Sequence, residues 1–502
     1  MVTGANMQTY ENIINGSSAK PHSGTYFSDL NPADQRDVVG KFPVSDAADV
    51  DAAVKAAQKA FPSWAAMPAP KRGELIYKAG QILIERQAEL AKVIQREMGK
   101  TMPECMGDIQ SSADVAYFCA GEGRRLYGQT VPSALPNRAA MTKRYPVGVC
   151  GLITAWNAPM AIITWKLFPA LICGNTCVVK PSEDTPHTAI FLAEIIKAAG
   201  IPDGVVNFVF GEGPDVGKAL TEHRDVALVS FTGSSAVGAS IAEVCGKQLK
   251  RCSLELGGKN ALIVLSDADL AAAAKAVAAG AFSTAGQRCA ATSRAIIHES
   301  VYAQFKELLL EETKKMPVGP GTDAATKVCP VINARQHAKI LGYIEDAKKT
   351  GSVCLFGGRA LSNGVYANGL YIEPTIFENV KRDSRLAREE IFGPVLALFT
   401  CKDFDDAIAQ ANDSDYGLTG SIYTSDANTA MLAIDRLSVG CCYVNGPTFG
   451  SEPHMPFGGL RKSGGIGTRE PGTQAMDVFS EWKTVYVDYS GGVQNSQYAM
   501  KK

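Results

Sequence analysis

Cys289 stands in the run Ser283-Thr-Ala-Gly-Gln-Arg-Cys-Ala-Ala-Thr-Ser-Arg294, and Glu255 in Leu254-Glu-Leu-Gly-Gly-Lys-Asn260. A thiol and a carboxylate, each beside glycine in its own turn, are the nucleophile and the base that acyl chemistry on sulfur requires. Attack on a carbonyl carbon also needs a donor for the oxygen that turns negative. Asn157, in Leu152-Ile-Thr-Ala-Trp-Asn-Ala-Pro159, offers an amide at the end of an expected strand. One such donor contributes roughly 3 to 4 kcal/mol. Arg288, next to the thiol, is expected to favour its ionised form. Taken singly, each residue has a plainer reading. Cys289 is then a buried structural thiol, Glu255 a solvated carboxylate before a turn, and Asn157 a turn residue ahead of Pro159.

Two glycine-bearing segments compete for the phosphates of a dinucleotide. Gly211-Glu-Gly-Pro-Asp-Val-Gly217 follows an apolar run and precedes a helix. Its spacing is G-x-G-x-x-x-G, and no acidic residue closes the next strand, so it reads as a wall of the adenosine pocket with Gly213 as its contact. Phe231-Thr-Gly-Ser-Ser-Ala-Val-Gly238 also joins strand to helix. It puts Gly233 and Ser234 at a helix N-terminus, where free N–H groups and the dipole favour phosphate, and it is assigned the pyrophosphate. Lys180-Pro-Ser-Glu183 ends a strand. Either it is a solvated turn, or Lys180 and Glu183 grip ribose hydroxyls. In the second case Glu183 repels a 2′-phosphate, so NAD is expected over NADP. Glu389-Glu-Ile-Phe-Gly-Pro-Val395 brings Glu390 as a candidate for the nicotinamide-side ribose, though alone it is only an acidic helix end meeting a Gly-Pro turn.

The elements that must position these groups alternate. Val147–Ala155, Asn175–Val179, Val205–Phe210 and Val226–Phe231 are β-rich runs, with helical patterns at Thr188–Ala199 and Ala236–Lys247 between them. That alternation predicts a parallel α/β sheet. Asp46–Ala60 and Lys71–Glu97 read as two N-terminal helices. A second β/α series begins at Ala261–Leu265, and Ser266 or Asp267 is expected to cap a helix over Leu270–Thr284 that Gly286 stops with a positive φ. A third unit is the strand Arg294–His298 with the helix Ala303–Lys315. No repeat or low-complexity linker separates them, so the domains are expected to interleave. The polar tail Gly491–Lys502 is expected to fray.

At 502 residues the chain exceeds one small core. A net charge of −1 gives no footprint for nucleic acid or an anionic membrane, and no apolar run approaches the length of a spanning helix. The N-terminal residues carry no signal-peptide pattern, which makes cytoplasm the expectation. Thirteen cysteines, an odd count with Cys441 and Cys442 adjacent, do not form a disulfide framework and point to a reducing compartment. The six histidines are scattered, and none has metal-ligand spacing with another His or Cys, so no metal is expected.

Together these runs resemble the NAD(P)-dependent aldehyde dehydrogenase superfamily over about residues 10 to 490. The resemblance implies Cys289 as nucleophile, Glu255 as base for deacylation, and Asn157 with the Cys289 N–H as oxyanion hole. It implies cofactor contacts from Trp156, Lys180, Ser182, Glu183, Gly213, Phe231, Gly233, Ser234, Leu256, Glu390 and Phe392, and substrate contacts from Trp165, Phe457 and the loop Pro447–Met455. The implied fold is α/β: a Rossmann-like NAD-binding domain (1–127 and 147–257), an α/β catalytic domain (258–470), and a bridging sheet (128–146 and 471–490) that makes a homodimer or homotetramer. Gln287–Arg294 and Asn445–Gly459 are most similar to the α-ketoglutaric semialdehyde dehydrogenase branch. Arg124, Arg125 and Arg461 are the candidates for a substrate carboxylate, Arg125 foremost. A general aromatic or aliphatic aldehyde dehydrogenase, or an inactive crystallin-like member, is the alternative. The chain departs from the family at Ala155, Ser235 and Arg461. A stretch from Leu460 to Glu470 that is longer than usual puts the role of Glu470 in question.

Overall fold

The computed structural model describes residues 8–464 and 466–492. Its first large sheet has the order Arg251–Glu255, Leu228–Thr232, Val149–Ile153, Thr176–Lys180, Val206–Phe208, Asn12–Ile14, Ser17–Ala19. The first five strands run parallel. Each of these interior strands is short and almost wholly buried, because helices cover both faces. The parallel part starts in the middle at Val149–Ile153, runs out to Val206–Phe208, then returns to fill the other side. Strand order therefore reverses between Val149–Ile153 and Leu228–Thr232, the point at which open α/β sheets bind ligands. The two N-terminal strands, an antiparallel hairpin added at the edge, are too short to register as an apolar run.

The second sheet has the order Val353–Phe356, Thr375–Glu378, Val395–Cys401, Thr292–His298, Asn260–Val264, Thr419–Tyr423, Cys441–Val444. It is parallel except for its first pair. A third, antiparallel sheet pairs Ser480–Asp488 with Arg138–Pro146, and the latter with Thr130–Val131. Segments far apart in sequence thus share one sheet, and the parts interleave. No helix among the described residues is long and apolar enough to cross a membrane.

Three expectations are corrected. Lys71–Glu97 is two helices, Ala69–Glu85 and Gln87–Met98, because Arg86 leaves helical geometry at φ −98°, ψ 12°. The helix Leu270–Phe282 is capped by Asp269, whose carboxylate accepts from Ala272 N at 3.0 Å. Asp267 instead accepts from Thr424 Oγ1, Ser425 N, Ser425 Oγ and Asp426 N, tying two loops together. That same helix ends at Phe282, and Thr284, Ala285 and Gly286 all take left-handed φ. The tail expected to fray falls, beyond Gly492, outside the described residues.

Candidate active site

Glu255 ends the strand Arg251–Glu255, at one side of the reversal point. The two glycines that follow it have packing reasons. A Cβ on Gly257 would lie 2.3 Å from the Glu390 carboxylate, and one on Gly258 would lie 2.6 Å from the Cys289 carbonyl oxygen. Asn260 completes the clasp: its Nδ2 donates to the Cys289 and Ala291 carbonyls at 2.7 and 2.9 Å. The run Glu255–Asn260 is therefore shaped around the Cys289 loop. Gln287 holds the other side of that loop, donating from Nε2 to the Thr284 and Pro330 carbonyls and accepting from Ile332 N.

A cleft of about 580 Å³ opens at the reversal point. Trp156, Asn157, Gly233, Ser234, Glu255, Leu256, Cys289, Glu390 and Phe392 all line it. Trp156 meets Phe392 edge-on, with ring centroids 5.3 Å apart. Ser234 caps the 13-residue helix Ser235–Lys247, so free N–H groups face this space. A Cβ on Gly233 would strike the Phe231 ring at 2.4 Å, which leaves the backbone bare there. Lys180 ends the strand next to Val149–Ile153, in register with Ile153, and its buried Nζ pairs with Glu183 at 2.8 Å. Burial opposes ionisation of Glu183, but Lys180 overrides it and holds the carboxyl below its ordinary range. Ser182 is buried in the same turn. Gly213 opens a π-helical turn, Gly213–Gly217, and does not line the cleft.

These residues fit a dinucleotide: a bare glycine turn and a helix N-terminus for phosphates, an anionic ribose-side residue, and a wall of Trp156 and Phe392. Gln336, Lys339, Thr232 and Gly257 also line the cleft and were missed by sequence reasoning. Gln336 and Lys339 sit on a polar-rich amphipathic helix, Ala334–Lys349, which marks nothing out.

Electrostatics single out one pair. Glu255 is buried, and its Oε1 meets no hydrogen-bond partner among the described residues. Burial, and then the negative charge of Glu470, push its carboxyl up to about 8. Burial and the carboxyls of Glu255 and Glu390 likewise push the Cys289 thiol well above its usual range. Arg288 does not offset this. Its guanidinium is turned away, donating to Thr284 Oγ1 at 3.0 Å and Glu104 Oε1 at 3.2 Å and lying over the Phe449 ring. The expectation that Arg288 ionises the thiol is corrected on that geometry.

Glu470 has a definite place. Lys166 Nζ reaches both its carboxylate oxygens at 2.7 Å, Ser230 Oγ donates at 2.8 Å and Ser253 Oγ at 3.3 Å. Its backbone pairs with Phe457 in both directions, so the long stretch between them is closed and does not displace it. Lys166 was missed, yet it is the only charge in the apolar helix Pro159–Ile172, and a buried lone charge implies a partner.

On the substrate side, Trp165 and Phe457 meet edge-on at 5.7 Å, and Cys289, Cys441 and Phe449 pack into the same cluster. Arg125 is two-thirds exposed and bonded to Glu122. Arg461 donates to the Asn412 and Ser414 carbonyls and to Ser438 Oγ. Its donors are committed to the fold, so it is withdrawn as a carboxylate receptor.

The aldehyde dehydrogenase family model matches residues 19–485, and the chain belongs to that family. It is an NAD(P)-dependent aldehyde dehydrogenase. It is 42% identical to an α-ketoglutaric semialdehyde dehydrogenase of Bacillus subtilis (strain 168), over 95% of this chain and 98% of that one. It is also 42% identical to a 2,5-dioxopentanoate dehydrogenase of Saccharolobus solfataricus, over 92% and 96%. The crystal structure of an NAD-dependent aldehyde dehydrogenase from Sinorhizobium meliloti superposes with a TM-score of 0.94 at 38% identity, covering 97% of this chain and 96% of that one.

Proposed function

We propose that the chain oxidises a short semialdehyde to the corresponding acid, with NAD preferred to NADP. The observation that carries the chemistry is that Cys289, Glu255 and Asn157 line one cleft, with an unpartnered carboxyl oxygen on Glu255. The Cys289 thiol gives up its proton to solvent water as its sulfur attacks the aldehyde carbon, and the Asn157 amide with the Cys289 N–H stabilises the oxyanion. NAD, when bound, supplies the hydride acceptor. A thioester is left on Cys289. Glu255 takes a proton from water, which attacks the thioester and releases the acid. Trp156, Ser182, Gly233, Ser234, Leu256, Glu390 and Phe392 hold the nucleotide, with Phe231 behind Gly233. Glu183, kept anionic by Lys180, disfavours a 2′-phosphate. Replacing Glu183 by Gln is expected to narrow the NAD preference in kcat/KM.

The substrate assignment draws on the two relatives, whose names describe one five-carbon semialdehyde. The aromatic cluster of Trp165 and Phe457 favours a second reading, an enzyme for aromatic or aliphatic aldehydes. Comparing succinic and α-ketoglutaric semialdehyde with butanal, hexanal and benzaldehyde decides between them. A ten-fold preference in kcat/KM for the carboxylate-bearing aldehydes, equal to about 1.4 kcal/mol, is expected. A higher value for hexanal or benzaldehyde retires the semialdehyde reading.

The division into an NAD-binding part (1–127, 147–257), a catalytic part (258–470) and a bridging sheet (128–146, 471–490) belongs to the same proposal. The exposed Trp482, Tyr486 and Val487 on that sheet support a homo-oligomer, a dimer or tetramer to be read by light scattering. All thirteen cysteines are unpaired, in keeping with a cytoplasmic setting.

A further inference from the structure

We propose that Arg288 is the receptor for the carboxylate at the far end of the substrate, and that Glu104 holds its place until substrate arrives. The inference rests on the semialdehyde reading above and names the residue that would enforce it.

The nucleophile loop makes this placement possible. Thr284, Ala285 and Gly286 take successive left-handed φ of 54°, 53° and 67°. Beyond that turn the two adjacent side chains have different surroundings. Cys289 joins the wall of the cleft that holds Asn157 and Glu255, while the Arg288 guanidinium lies over Phe449, 4.7 Å from its centroid. Phe449 packs into the cluster that also holds Cys289, Trp165 and Phe457. The guanidinium and the Cys289 thiol thus both border one aromatic cluster, the guanidinium through Phe449.

Its bonding is incomplete. Arg288 donates from Nε to Thr284 Oγ1 and from Nη2 to Glu104 Oε1 at a long 3.2 Å, while Nη1 has no hydrogen bond among the described residues. An Arg–carboxylate pair at full strength is bidentate and shorter. Arg288 is the main charge that holds the largely buried Glu104 carboxyl below its ordinary range, but it is not the only partner of Glu104. Glu104 also accepts from Thr284 Oγ1 at 2.7 Å, and from Thr101 N at 3.1 Å and Thr101 Oγ1 at 2.8 Å in a capping box at the start of the helix Met102–Glu122. Glu104 therefore stays anchored if the guanidinium swings to a new anion. Beyond it, Glu104 and Ser283 line a separate open cleft of about 1860 Å³ whose Lys275, Lys315 and Lys327 are balanced by Glu104, Glu312 and Asp323. Two of the three arginines first nominated from sequence lack these features: Arg461 is bonded into the fold and Arg125 to Glu122.

The test compares succinic and α-ketoglutaric semialdehyde with butanal in wild type, Arg288→Gln, Arg288→Lys and Glu104→Gln, with NAD saturating. The semialdehyde-to-butanal ratio of kcat/KM should fall ten-fold or more in Arg288→Gln and by less in Arg288→Lys. Gln at position 104 preserves the capping box, so that variant should fold even if the Arg288 variants do not. With the competing charge gone, its KM for semialdehyde should drop at least two-fold relative to its KM for butanal. Wild-type KM for semialdehyde, not for butanal, should rise with salt. A wild type that prefers semialdehydes while both Arg288→Gln and Glu104→Gln keep its selectivity ratio overturns the role of Arg288 and leaves the proposed function standing. A wild type with no such preference overturns both.

Discussion

Glu255 and Glu470 are two buried carboxyls that act on each other electrostatically, yet their surroundings treat them in opposite ways. Lys166, Ser230 and Ser253 fill the lone pairs of Glu470 with four contacts of 3.3 Å or less. Glu255 keeps Oε1 bare and sits in a burial environment that raises its carboxyl to about 8. A carboxylate with every acceptor site filled has no place for a new proton donor, whereas one with an open site and a raised pKa is a competent base near neutrality. The difference supports the proposed division of work: Glu470 and Lys166 form a local charge pair, and Glu255 is the one proposed as proton acceptor.

The largest expected effect removes the group Glu255 serves. Cys289→Ala should show no dehydrogenase turnover in an NADH assay while NAD affinity, read by calorimetry, stays within a few-fold; turnover near the wild-type rate would break the contrast at its root. Next is the open carboxyl itself. Glu255→Gln should leave a single burst of NADH and then lower steady-state turnover by about 10²–10⁴-fold, the range of a positioned general base. Loss of the burst as well would mean that Glu255 activates the thiol instead of water.

The filled carboxyl should answer in stability instead. Lys166→Met strands Glu470 as a buried unpaired charge, a change worth about 3–5 kcal/mol, and urea denaturation should show it. An unchanged midpoint would refute the pairing. The smallest effect is a shift in pH dependence. Glu255 accepts a proton only when ionised, so turnover limited by deacylation should rise with pH and level off above about 8. Glu470→Gln removes a repelling charge, which should move that midpoint to lower pH; a midpoint that moves upward contradicts the coupling.

Much of this site was legible because its chemistry sits in contiguous runs. Cys289, Glu255 and Asn157 each lie within a motif whose glycines and amides prove to have packing reasons, as Gly257 and Gly258 show. The parallel strands were legible too, since burial on both faces leaves a continuous apolar run. What escaped depends on contacts across long separations. The Lys166–Glu470 pair joins residues from different parts of the chain, and nothing near either names the other, although a lone Lys in an apolar helix announced a missing anion. The break at Arg86 leaves the apolar periodicity on both sides intact, so two helices read as one. Arg288 was read by sequence adjacency to the thiol, but its guanidinium is bonded to Thr284 and Glu104, which adjacency alone could not show.

Intact-protein and peptide mass spectrometry of Glu255→Gln, mixed with NAD and a semialdehyde and quenched in acid within the burst, tests the division of labour most directly. The expected result is close to one acyl group per chain, carried on the peptide that contains Cys289, with no such adduct in Cys289→Ala. An adduct on another residue, or a wild-type-sized burst of NADH with no adduct at all, would contradict it.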